Sequence, residues 1–302
     1  MTKYEWDNLI VKHSGEFLQN WDWGVFQEGL GKKVIRFFDD ALGLAQIIIT
    51  PLPLGLSWAY VPRGPVFFDS ARAQDLISGI VKALPPGCVF VVLEPADRVK
   101  LSLEKFKSRQ PVETVVLDLS QSEEELLAAM DSKTRYSIRR SLASGLDFGK
   151  VEDVSEFYNL LASTARRQGF RTYPEGYFSR MLEAVGKNGL NIFGARYNGK
   201  LLAAGLYVVF GPTAFYLHSG SDYESRSLMA PYFMHWEAIK YFRDRGLKSY
   251  DFWGIDRQRW PGITRFKTRF GGIAKSYPGA YVKVLKPFWF AMYQLAKKFN
   301  AG

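Results

Sequence analysis

Between Trp253 and Gly272 the run WGIDRQRWPGITRFKTRFGG sets five cations, Arg257, Arg259, Arg265, Lys267 and Arg269, among aromatics and glycines. So many charges in one stretch cannot all be buried without partners, so the segment is expected to line a surface that meets something anionic or rich in carbonyls. A second cationic group, Lys133, Arg135, Arg139 and Arg140, lies in SKTRYSIRRSLASG, where Arg135 and Arg139 stand one helical turn apart. A solvated helix face and a phosphate-binding face both fit that spacing. Of the three histidines, His218 falls in a strand pattern and His235 in a helix pattern beside Trp236, and both read as hydrogen-bonded core or cleft residues rather than ligands. No Walker loop, no GxGxxG after a strand, no CxxC pair and no HExxH occurs, so nucleotide hydrolysis, hydride transfer and zinc chemistry have no support.

The elements that must hold these residues come from a chain of 302 residues, 47% hydrophobic and 16% aromatic, long enough for two ordinary domains. A formal charge of +10 favours polyanionic partners such as nucleic acid, nucleotide-linked substrates or an anionic membrane surface. The single cysteine, Cys88, sits in the apolar run CVFVVLEP and is expected to be a small core residue of a protein from a reducing compartment. The start, MTKYEWDNLI, lacks an export pattern, and no apolar run approaches the roughly 20 residues of a spanning helix, so a cytoplasmic location is expected.

One order of elements occurs twice. KVIRFF and AQIIIT flank DDALG, SWAYVP follows, then an Arg-Gly-Pro corner, a helix over about 70–84 and the strand CVFVVLEP. Later, NIFGAR and LLAAGLYVVF flank Asn198-Gly199, AFYLHSG follows, then a helix over about 230–245 and the strand SYDFWGI. Hairpin, strand, helix, strand resembles the centre of the Gcn5-related acyltransferase (GNAT) fold, so the expected class is α/β (α+β) with two tandem GNAT-like domains and a cleft between them. Between the copies, TVVLDLSQSEEELLAAM reads as a strand into a helix capped by Ser120 or Ser122. Two further helices follow, the first ended by Gly145. LKPFWFAMYQLAKKF reads as a closing helix from Pro287, its aromatics including Phe299, set either to pack on the first domain or to rest on an anionic membrane. An acyl-CoA enzyme of this fold cradles pyrophosphate on backbone amides before the crossover helix. Here that stretch is RSLMAP, with Met229 where glycine is expected and Pro231 without an amide, which argues against coenzyme A.

FLQNWDWGVFQEGLGKKVIRF, YVPRGPVF, SKTRYSIRRSLASG, LMAPYFMHWEAIKYFRDRGLKSYDFWGI and RFKTRFGG resemble, in order and over nearly the whole chain, the motifs of the Fem (FemABX) aminoacyltransferases, most nearly the short FemX type without a helical arm. The resemblance implies transfer of an amino acid from aminoacyl-tRNA to the stem peptide of a lipid-linked or UDP-linked muramyl-pentapeptide precursor, in peptidoglycan bridge formation, with no metal or prosthetic group. It places Phe266 and Lys267 where the family has an aromatic beside a catalytically important lysine, so Lys267 is expected to stabilise the oxyanion or hold the 3′ end of tRNA. Trp23 and Gln27 fall in the amino-terminal substrate motif, where a lysine often stands at the position of Gln27. Tyr60, Arg63 and Asp69 flank the Arg-Gly-Pro corner, and Arg63 either contacts phosphate or closes the turn on carbonyls. Tyr173 stands four residues before Tyr177 where the family has an arginine, a place Arg171 could take over. Trp253 is a wall of the substrate cleft or a core aromatic. Arg135, Arg139, Arg265 and Arg269 are the candidates for tRNA phosphate.

The expected division is 1–110 with the closing helix 280–302 as a precursor-binding domain, and 111–279 as an acyl-transfer, tRNA-facing domain. The expected protein is a monomer with peripheral contact at the inner membrane surface, and a carboxylate such as Asp256 is available to accept the amine's proton. Two rivals remain at this level: a GNAT-fold acyltransferase with another donor such as acyl-CoA, and a non-catalytic basic protein that binds RNA or membrane.

Overall fold

A computed structural model describes residues 1–299, apart from the side chains of Lys187, Asn188 and Phe299. Residues 300–302 of the expected first domain, and the Phe299 ring, therefore lie outside the described residues. The chain divides into two units, the first comprising Met1–Val112 and the chain from Tyr277 onward, the second Glu113–Ser276.

The first unit opens with α1 (Lys3–Lys12), whose Thr2–Glu5 capping box satisfies orphan amides, and α2 (Trp21–Gly29), capped by Asn20. A meander of β1 (Lys33–Asp39), β2 (Gly43–Pro51), β3 (Ser57–Val61) and the short β4 (Val66–Phe67) follows. A 3-10 turn at Ser70–Arg72 then leads into α3 (Ala73–Ala83), so the helix expected over 70–84 begins three residues later, after the Asp69 side chain caps the turn. After it come β5 (Cys88–Leu93), buried throughout, and the edge strand β6 (Glu104–Phe106).

The second unit begins with β7 (Glu113–Asp118) and α4 (Glu123–Ala129), where Ser122 and Glu125 form the capping box. Next are α5 (Ser132–Leu142), β8 (Asp147–Lys150) and α6 (Val154–Gln168), which stops at Gly169 in the left-handed region. In GFRTYPEGYF the first six residues, 169–174, are irregular and the rest starts α7 (Glu175–Gly189), with Pro174 as its N-cap. β9 (Leu190–Tyr197) and β10 (Lys200–Phe210) turn at Asn198-Gly199, both at positive φ as the tight hairpin requires. Then come β11 (Thr213–Ser221), α8 (Ala230–Asp244), β12 (Ser249–Asp251), α9 (Pro261–Thr268) and β13 (Ile273–Ser276). The strand expected over the whole of SYDFWGI is thus only three residues long, because the left-handed Trp253 turns the chain out of extended geometry.

The chain then returns to the first unit with β14 (Ala280–Val284) and α10 (Pro287–Phe299). The first sheet runs β1-β2-β3-β5-β14-β6, with β4 on β2; the second runs β13-β7-β12-β11-β10-β9-β8. Each sheet has a parallel pair joined by a crossover helix, β3 with β5 and β11 with β12. In the first sheet that pair runs from Ser57 to Val61, with a register shift between Ser57 and Ala59, and Glu94 N–H extends it by donating to Val61. In the second sheet the pair lasts only from Thr213 to Phe215, although β11 runs on to Ser221. Past that point the other strand stays with β7, Phe252 N–H donating to Val115 and Ile255 N–H to Glu113. The second sheet is therefore split by a wedge where the first is closed.

Among the described residues no helix is long and apolar enough to cross a membrane.

Candidate active site

The wedge is occupied from α9. Pro261 supplies the helix-ready φ at its first turn, and Thr264 Oγ1 both accepts from Asp256 N–H and donates to the Asp256 carbonyl, at 2.9 Å each. The run of interleaved cations, aromatics and glycines thus contains a helix pinned to the turn before it. Gly271 and Gly272, at φ +84° and +85°, end it, and a Cβ at Gly272 would come within 2.5 Å of the Val116 carbonyl oxygen.

On the buried side of α9 stand Thr264, Lys267 and, just past its end, Phe270, with Phe266 half-buried beside them. Lys267 is only 8% exposed. Its ammonium donates to the Trp253 carbonyl and, at 2.9 Å, to the Gly254 carbonyl, and lies 5.5 Å above the Tyr216 ring. Trp253 and Gly254 are both left-handed, φ +47° and +64°, an uncommon conformation for a tryptophan. Asp251 supports that turn, its Oδ1 accepting from Trp253 N–H at 2.7 Å and from Thr114 Oγ1 at 2.5 Å. Burial lowers the Lys267 pKa to about 7, against the pull of the nearby Asp251 carboxylate.

Two histidines sense that charge. His235 on α8 is wholly buried, shares a 2.6 Å hydrogen bond between Nδ1 and the Tyr250 hydroxyl, and stacks edge-on to Tyr216 at 4.4 Å. Its Nε2 is buried without a hydrogen-bond partner. Burial, then the Lys267 charge, lowers its pKa to about 3. His218 reaches the site from the other sheet face. A β-bulge shifts the register so that Tyr216 pairs with Tyr207 while His218 pairs with Leu206, and a one-residue shift moves a side chain across the sheet. Tyr207 and Tyr216 lie with α8, whereas His218 meets Phe178 of α7 at 5.3 Å. Burial, then Lys267, lowers the His218 pKa to about 4. Both imidazoles are neutral at pH 7, which leaves Lys267, at about 7, as the cation of the wedge that titrates in that range.

The other expected residues are distributed as follows. Phe266 packs on Tyr232, His235 and Phe270. Exposed Tyr173 stacks flat on Tyr177 at 4.0 Å, near His218, and burial raises the Tyr177 hydroxyl pKa. Arg171 is exposed. The Arg135 guanidinium donates to the carbonyls of Met130 at 2.6 Å and Ala128 at 3.3 Å, capping α4, so it does not share a free face with exposed Arg139. Arg265 is exposed, and half-buried Arg269 lies 3.9 Å from Asp131. Asp256 Oδ1 accepts from the Gln258 and Arg259 amides and so holds a turn.

In the first unit, Trp23 packs on Phe17 and Phe26 with its indole N–H unpartnered, and Gln27 is half-buried on α2. Asp69 caps the 3-10 turn. Arg63 is buried at 3%, its Nε 3.1 Å from Glu16, its Nη2 donating to the Pro111 carbonyl and its guanidinium 3.4 Å from the Tyr277 ring. That geometry ties the corner together and turns the charge inward rather than toward a phosphate. Tyr60 donates to buried Glu94, and Gln110 donates to the Tyr60 hydroxyl; burial raises the Tyr60 pKa well above 10.0.

Sequence reasoning passed over Asp251, Glu94 and Arg109. The signal for both acids is a lone carboxylate at the end of an apolar strand run, which burial makes costly unless partners wait. Arg109 had none, since its place over Trp58 and Tyr60, at 4.8 and 5.3 Å, joins residues far apart in the chain.

Known proteins share this architecture and sequence. The chain is 25% identical to the UDP-N-acetylmuramoylpentapeptide-lysine N(6)-alanyltransferase of Weissella viridescens, over 93% of this chain and 95% of that protein. It is 21% identical to a lipid II:glycine glycyltransferase of Staphylococcus haemolyticus, over 99% and 94%. The crystal structure of FemX superposes with a TM-score of 0.84 at 19% identity, covering 97% of this chain and 98% of that one. The FemAB family model matches residues 101–198 and 193–298, well over half the chain, and the protein belongs to the FemAB family.

Proposed function

We propose that this chain is an aminoacyltransferase that moves an amino acid from aminoacyl-tRNA to an amine on the stem peptide of a peptidoglycan precursor. The relatives' names support the acceptor, since one is a UDP-N-acetylmuramoylpentapeptide-lysine N(6)-alanyltransferase and the other a lipid II:glycine glycyltransferase. The observation that carries the reading is Lys267, a buried lysine held by two carbonyls in the split between β11 and the chain after β12.

In the reaction the acceptor nitrogen attacks the ester carbonyl carbon, and that oxygen gains negative charge. Collapse forms the amide and expels the ribose oxygen, which takes up the proton the amine gives up. Lys267 acts as the fixed positive charge for the oxyanion; as its carbonyl partners and the aromatic walls already hold it, little reorganisation is needed. Phe266, Trp253 and the Tyr173–Tyr177 stack shape the acceptor site of the second unit, with Arg171 beside them. In the first unit Trp23, Gln27, Tyr60 and Asp69 remain the precursor-facing candidates, joined by exposed Arg109 as the phosphate contact in place of Arg63. Arg139, Arg265 and Arg269 are assigned to tRNA phosphates.

A coenzyme A donor is disfavoured by the start of α8. Met229 holds the left-handed cap where glycine was expected, Pro231 has no amide, and the amides of Arg226, Leu228 and Met229 already donate within the preceding turn. The test is transfer of labelled amino acid from a pool of charged tRNA to UDP-muramyl-pentapeptide and to its lipid-linked form. Transfer to at least one acceptor is expected; tight coenzyme A binding without response to charged tRNA would point to the other donor.

A further inference from the structure

α10 is apolar on two opposite faces. Phe290 and Tyr293 meet Phe90 of β5 at 5.0 and 4.8 Å, and Trp289 joins the same cluster, so one face is packed on the first unit's own sheet. Phe288, Met292 and Leu295, spaced as i, i+4 and i+7, form a stripe on the other side, 69%, 47% and 48% exposed. A helix that has already buried one face has no need of a second apolar stripe for folding, and grouped exposed apolar side chains mark a contact surface.

Charge identifies what that surface fits. Lys297, its ammonium 5.6 Å from the Tyr293 ring at the edge of the packed face, and Lys298 close the last turn of α10, Lys286 directly precedes it, and residues 277–302 contain no Asp or Glu. An apolar stripe flanked at both helix ends by lysines, in a segment that carries no acid of its own, matches the boundary of an anionic bilayer, where the stripe enters the acyl region and the ammonium groups reach up to headgroup phosphates. We propose that the outer face of α10 docks the chain on an anionic lipid surface. Docking through this face rests on α10 alone and does not depend on the acyl-transfer reading.

The test is co-sedimentation of the full chain with vesicles of phosphatidylcholine alone and with added phosphatidylglycerol. Binding is expected to the anionic vesicles, to weaken with salt, and to fall roughly tenfold or more in F288S/M292S/L295S. That variant should keep the parent's thermal midpoint and its rate with a water-soluble acceptor. K297Q/K298Q, which leaves the stripe intact, should lose the preference for phosphatidylglycerol and carries the test if the triple variant does not fold. The proposal is overturned if the parent stays in the supernatant at low salt or if both variants sediment as the parent does. Self-association of the parent without lipid, abolished by the triple change, would likewise overturn it by making the face a contact between copies.

Discussion

Lys267 carries a charge into a place where water cannot solvate it, and its chemistry follows from that cost. With a native pKa of about 7 against 10.5 for a free lysine, the unfolded chain binds more protons between those values, so native stability rises with pH across that window. In Lys267→Met the titrating group is gone. The parent should therefore gain stability relative to the variant as pH rises from 7 to 9, read as urea midpoints at each pH; parallel midpoints would mean that the site does not disfavour the ammonium. If the ammonium is the active form, the ratio of parent to Lys267→Ala kcat should also narrow as pH rises through about 7. Arg63 is the contrasting case, a buried cation fully matched by Glu16, a carbonyl and a ring. Arg63→Ala leaves Glu16 buried without its counter-charge and should cost about 3–5 kcal/mol in chemical denaturation. A loss under about 1 kcal/mol would show that the pair is hydrated.

Among the elements, β11 does most to assemble the site, with Tyr216 on one face, His218 on the other, and its far end free of β12. α6 holds that end, so close that a Cβ on Gly220 would lie 2.3 Å from the Leu160 carbonyl carbon. Gly220→Ala should push α6 off the strand, costing about 1–3 kcal/mol of stability and lowering kcat more than an equally destabilising change elsewhere. Unchanged turnover at equal fold content would detach β11 from the chemistry. The strand-helix-strand order was legible in the sequence because β9, β10 and α8 carry their own periodicity and turn residues. α9 was not. Eight residues with Pro and Gly at the start and two cations look like a loop, and only the Ile263, Phe266, Phe270 spacing hints at a buried face. The bulge that sends His218 across the sheet has no local signature, since pairing partners from another strand set it. For the same reason Lys267 could be singled out by resemblance, while its carbonyl partners and the Asp251 support could not.

For the whole molecule, the order of strands ties the end of the chain to its beginning. β14 lies between β5 and β6 in the first sheet, although the entire second unit separates it from them in sequence. A chain ending before Ala280 leaves β5, a strand buried throughout, as an open edge. Such a truncation should lose the first unit's cooperative unfolding transition and aggregate, while the second unit, whose strands all fall within Glu113–Ser276, should retain a transition of its own. Two intact transitions in the truncated chain would contradict that dependence. The measurement that bears most directly on the central claim is steady-state transfer from charged tRNA by the parent and by Lys267→Ala, with kcat and acceptor KM resolved. A lysine that meets charge formed only in the transition state predicts a fall of about 10²–10³ in kcat with acceptor KM nearly unchanged. An unchanged kcat, or a loss confined to KM, would contradict it.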